Sequence, residues 1–144
     1  YYYGRLKTKA LERPECRKRY EKVKRLLALR RSLPEIYCNF PDDHRQSRIE
    51  KVETEGLSSY QPYVCYGKGA AIIVVPNGTD SAADVTVTVP ELPGISHSAS
   101  VTDALSGAVI QTATDSDMQQ CFTVSVKSGK VGLFLVRSEK VQEQ

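Results

Sequence analysis

From Tyr63 to Arg137 short apolar or alternating runs are separated by turn residues, and that rhythm leaves few folds open. Tyr63-Val64-Cys65-Tyr66 is closed by Gly67-Lys68-Gly69. Ala70 to Val75 is an unbroken apolar run of strand length, suited to the centre of a sandwich. Pro76-Asn77-Gly78-Thr79-Asp80 is a strong turn. Asp84-Val85-Thr86-Val87-Thr88-Val89 alternates perfectly, with valines expected inward and threonines outward. Pro90 to Gly94 turns the chain again. Ser98 to Asp103, Ala108 to Gln111, Phe122 to Val126 and Val131 to Val136 follow as strands, with turns at Ser106-Gly107 and Ser128-Gly129. About seven short strands in this pattern predict a mainly β fold, an antiparallel Greek-key sandwich.

A different period governs the preceding stretch. Pro14 suits a first helical turn, and Glu12 and Glu15 suit the positive end of a helix dipole. Cys16, Tyr20, Val23 and Leu27 recur at helical spacing, with Leu26, Leu29 and Leu33 as a neighbouring row. The spacing predicts a long amphipathic helix from Pro14 to Ser32, stopped ahead of Pro34. Its apolar side must pack on a partner, either the β domain or a body outside this sequence. Leu27 is accordingly expected to behave as a packed leucine. Residues 36–62 read as a connecting segment with short strands, weakly signalled around Arg48 to Glu53. The sequence thus divides into a helical segment (1–35), a connecting segment (36–62), a sandwich (63–137) and a polar tail (138–144).

Charge follows the same division. Residues 1–56 hold 15 Lys/Arg against 9 Asp/Glu, and residues 57–144 hold 5 against 8. The two halves therefore face different surroundings. Glu12, Glu15 and Glu21 interrupt the basic helix face, and the β half is acidic, so nucleic acid is not expected as a partner. No apolar run approaches the ~20 residues of a membrane-spanning helix, and no membrane partner is expected. The start at Tyr1-Tyr2-Tyr3 has neither an initiator Met nor signal-peptide character, as expected of a piece of a longer protein.

Few residues invite a chemical role. Cys16, Cys38, Cys65 and Cys121 are too scattered for zinc spacing, and His44 and His97 complete no ligand pattern, so neither metal nor cofactor is expected. Isolated thiols favour a cytoplasmic location while leaving secretion open. Asp42-Asp43-His44 reads as a solvated turn. Ser106 lacks the flanks of a nucleophile elbow, and Asp103 is expected to bond turn amides. Asn77-Gly78-Thr79 fits a glycosylation acceptor but reads better as a turn. Tyr60, Tyr63 and Tyr66 could stack on sugar rings. Regular strand geometry sets Tyr63 and Tyr66 on opposite faces, which favours packing roles.

The order of these pieces resembles the C-terminal region of α-amylase-superfamily or related barrel glycoside hydrolases. Leu26-Leu27-Ala28-Leu29-Arg30 with the run to Pro34 is similar to the last barrel helix. Gly69 to Asn77 is similar to the strand that opens the C-terminal β domain, with Pro76 where that family usually has Asn. Thr102-Asp103-Ala104-Leu105-Ser106-Gly107 resembles a turn of that domain, and Lys130 to Leu135 its closing strand. The resemblance implies a non-catalytic domain that braces a catalytic barrel, the partner expected outside this sequence. The catalytic carboxylates would lie on earlier barrel strands, so no residue here inherits a catalytic role. A sandwich module that binds carbohydrate or protein is the alternative.

Overall fold

A computed structural model describes residues 8–37, 49–56, 60–67, 69–92, 94–95, 99–111 and 120–138. The chain falls into two compact units, Tyr1–Leu33 and Pro34–Gln144.

The first unit is helical. A 3₁₀ turn over Thr8–Glu12 leads into α1, Pro14–Arg31. Pro14 stands in the first turn, where its missing N–H removes no intrahelical bond. Arg13 caps this end without a side-chain hydrogen bond, leaving the acidic Glu15 to favour the dipole. At the other end the Ser32 N–H donates to the carbonyls of Ala28 and Leu29, and its hydroxyl to Leu29 O at 2.7 Å. Pro34 ends one helix and opens another, since proline cannot continue a turn but can begin one. α2 is the single turn Pro34–Tyr37.

The second unit is the antiparallel sandwich that the strand pattern predicts. A six-stranded sheet runs in the order β1-β3-β4-β9-β6-β7: Ile49–Lys51, Tyr63–Tyr66, Ala70–Pro76, Val131–Arg137, Ser100–Asp103 and Val109–Gln111. A three-stranded sheet holds β2, β5 and β8: Thr54–Glu55, Ala83–Thr88 and Cys121–Val126. The chain changes sheet between β1 and β2, β2 and β3, β4 and β5, β5 and β6, β7 and β8, and β8 and β9. The short strands at 49–51 and 54–55, within the connecting segment of the sequence reading, give one strand to each sheet.

The core lies between the sheets. Val64, Ala71, Ile73, Val75, Phe134 and Val136 face Val85, Val87, Phe122, Val124 and Val126. Each such valine removed from water is worth about 1.5–3 kcal/mol. The Phe122 and Phe134 rings meet edge to face, 5.5 Å apart. Gly132 makes room for that contact, because a Cβ there would stand 2.7 Å from Phe134 Cε2.

One buried polar residue ties the turns together. Asn77, 2% exposed, follows β4. Its Nδ2 donates to the carbonyls of Ser81 (3.0 Å) and Val126 (2.8 Å), and its Oδ1 accepts from the N–H and hydroxyl of Thr79. Its backbone N–H donates to Lys130 O, and its carbonyl accepts from Gly129 N–H. The β4–β5 and β8–β9 turns are thereby joined at the same end of the sandwich. A buried amide committed in this way is a structural node, which agrees with the turn reading of Asn77-Gly78-Thr79. Asn77→Ala should lower the unfolding free energy by about 2–4 kcal/mol, measured by urea denaturation. Asn77→Asp should lose a similar amount, because a carboxylate cannot donate to the two carbonyls.

Candidate functional site

The outer faces of the two sheets differ in chemistry. On the three-stranded sheet, Asp84, Thr86, Thr88, Cys121, Thr123 and Ser125 alternate with the core residues and point away from it. The Thr86 and Thr123 hydroxyls pair across the strands at 3.1 Å. Such a face is content in water.

The six-stranded sheet is apolar on its outer face as well. In β4 the inward set is Ala71, Ile73 and Val75, so Ala70, Ile72 and Val74 point the other way. Ala70 and Ile72 are nonetheless buried. α2, with its buried Ile36, lies against β4. Register extends the apolar surface across neighbouring strands. Ile49, Cys65, Ile72 and Leu135 form one outer row, and Tyr63, Val74 and Leu133, with Lys51 at its edge, another. Ile49, Tyr63 and Val131 are exposed on this face, and Cys65, Val74, Leu133 and Leu135 are half-buried. Strands apolar on both sides are characteristic of sheets covered on both sides.

α1 carries a second exposed apolar surface among the described residues. None of its residues is buried. Val23, Leu26 and Leu27 are 53%, 39% and 50% exposed. Cys16, Tyr20 and Leu29 are half-buried, and Leu33, just past the helix, is buried. The opposite side is basic, with Arg17 near Glu21 at 3.9 Å and the Lys24 ammonium 5.4 Å from the Tyr20 ring centre.

No protein-family model and no curated protein matches this chain. Among solved structures it is similar to an Anoxybacillus α-amylase, reported as giving insight into a new glycosyl hydrolase subclass, with a TM-score of 0.51 at 12% identity. The fold is similar to that of a part of this amylase. The match covers 85% of this chain and 23% of that one, so this chain spans less than a quarter of the amylase. It is too long to fit within residues 34–144 and therefore reaches into the helical unit.

A separate feature lies beside β2. A groove of about 690 Å³ is lined by Lys51, Glu53, Glu55, Tyr60, Gln61 and Thr88, among others. Gln61 Nε2 donates to Val52 O (3.0 Å) and Pro62 O (2.8 Å), which ties β1 to the approach to β3. Tyr60 is 70% exposed and rests against Gly78.

The three tyrosines singled out in the sequence do not form one platform. Tyr60 flanks the groove, Tyr63 lies on the outer face of the six-stranded sheet, and Tyr66 packs against the core. Asp103 Oδ1 accepts from the N–H groups of Leu105 (3.0 Å) and Ser106 (2.9 Å), the turn role expected of it. Gly107 completes that turn with φ of 78°. Cys16, Cys65 and Cys121 are thiols rather than half-cystines. Among the described residues no three His, Cys, Asp or Glu side chains converge as a metal site. Asp42, Asp43, His44, His97 and Cys38 lie outside the described residues.

The exposure of Leu27 sets an expectation opposite to that of a core leucine. In this chain Leu27→Asp should change stability by less than about 0.5 kcal/mol, against about 2–5 kcal/mol for loss of a buried leucine. Thermal melts of the two proteins check it.

Proposed function

We propose that this chain is the C-terminal part of a glycoside hydrolase acting on oligo- or polysaccharide, and that it braces a catalytic barrel without itself carrying catalytic groups. The observation that carries this reading is the pair of apolar surfaces exposed among the described residues of an amylase-related fold. One is the outer face of the six-stranded sheet and the other is the Val23–Leu26–Leu27 side of α1. Clustered exposed apolar side chains are characteristic of interfaces. A match that spans both units and takes up 23% of an α-amylase chain gives that interface a natural occupant. The ridge is then the inner side of the last barrel helix, and the sheet is a buttress whose polar second layer faces water.

A brace of this kind acts by exclusion of water. It shields the helix that closes the barrel and lowers the frequency of local opening there. Sugar chemistry would remain with paired carboxylates on barrel strands.

The coding sequence upstream of Tyr1 tests the proposal. Alternating strand and helix units, with acidic residues at strand C-terminal ends, are expected. A different architecture there would overturn it. In the full-length protein Leu27→Asp should cost about 2–5 kcal/mol, the effect of a buried leucine, although the same change is silent in the chain alone. The chain alone should hydrolyse neither α- nor β-glucosides. Turnover abolished by a carboxylate substitution in this chain would contradict the reading.

A further inference from the structure

The groove beside Tyr60 serves neither the core nor the apolar docking surfaces. We infer that it binds a neutral oligosaccharide chain, a ligand class that rests on the glycoside hydrolase reading.

Three observations support this. The first is the aromatic ring. Tyr60 is 70% exposed and rests against Gly78, where a Cβ would stand 2.7 Å from Tyr60 Cε2. Any larger residue at 78 would push the ring aside. An exposed ring with two χ angles can meet the C–H face of a pyranose at a small cost in side-chain freedom.

The second is the lining. Glu53 and Glu55 can accept hydrogen bonds from sugar hydroxyls, Lys51 can donate, and the Thr88 hydroxyl can do either. Mixed signs of charge disfavour a strongly anionic or cationic ligand. Val52 and Pro62 also line the groove but are buried, so among the described residues Tyr60 is its exposed apolar contact, fewer than the row of anchors a hydrophobic peptide uses.

The third is shape and rigidity. The groove holds about 690 Å³, within the roughly 300–1,000 Å³ range of small-ligand clefts. Its backbone is fixed by Gln61 Nε2 on Val52 O and Pro62 O, by Val52 N–H on Pro62 O, and by Thr88 N–H on Glu53 O. Side chains on a pre-ordered backbone bind with a smaller entropic penalty. Tyr63 and Tyr66 take no part, because they face the outer sheet surface and the core.

Calorimetric titration of the 144-residue chain with maltoheptaose, cellohexaose and xylohexaose is the test. At least one should bind, with a dissociation constant of about 0.1–1 mM. Tyr60→Ala should weaken that binding about tenfold or more, and Tyr60→Phe, which keeps the ring, less than about threefold. Should Tyr60→Ala fail to fold, amide shifts of the wild-type chain on titration replace it. They should centre on residues 51–55, 60 and 88. Absence of binding to all three sugars, binding indifferent to Tyr60→Ala, or shifts centred elsewhere would overturn the groove. Those results would leave the bracing role standing, since the upstream coding sequence tests that separately.

Discussion

The structure depends on the burial of β4 from both sides. This strand pairs with β3 and β9 at the middle of the six-stranded sheet. Ala71, Ile73 and Val75 anchor the core between the sheets, while Ala70 and Ile72 are removed from water on the opposite face. A strand with no polar side cannot lie at a water-facing surface, so the sheet built around it needs cover on both faces. The three-stranded sheet covers one. α2 lies against β4 on the other, yet Ile49, Tyr63 and Val131 remain exposed there.

That imbalance links packing to function. A freestanding sandwich alternates on all its outer strands, as β5 and β8 do with their threonines, serine and aspartate. The six-stranded sheet does not, and neither does the exposed ridge of α1. In the bracing proposal both surfaces are explained by a body they press against. The polar edge around Tyr60 has the converse character, with mixed charge and a single ring among its described lining residues.

Asn77 shows how little polar chemistry such a domain needs inside. One amide links two turns, each of which crosses between the sheets, with its donors and acceptors engaged. A second buried amide, Gln120, donates to Ala99 O and Gln111 Oε1, and elsewhere apolar alternation and the turns that glycine allows, as at Gly107 and Gly129 with their positive φ, direct the strands.

The strands and α1 were legible in the sequence because each has a local cause. Valine–threonine alternation over Asp84 to Val89 can serve only a strand with one dry face, and Pro14 and Pro34 bracket a helix through the loss of an N–H. Asp103 was legible as a turn residue for the same reason. The unbroken run Ala70 to Val75 pointed to a buried strand, but its second meaning, a sheet covered on both faces, emerges only once register aligns it with Leu133, Leu135, Cys65 and Ile49. Two-residue β2 was too short to leave a periodic signal, and the groove it helps to form joins residues from three separate stretches of chain. Local preference and periodicity act over a few neighbouring residues, so they are written in the sequence. Which faces meet, and which are left without a partner, is decided by contacts between distant segments and exists only in the folded chain.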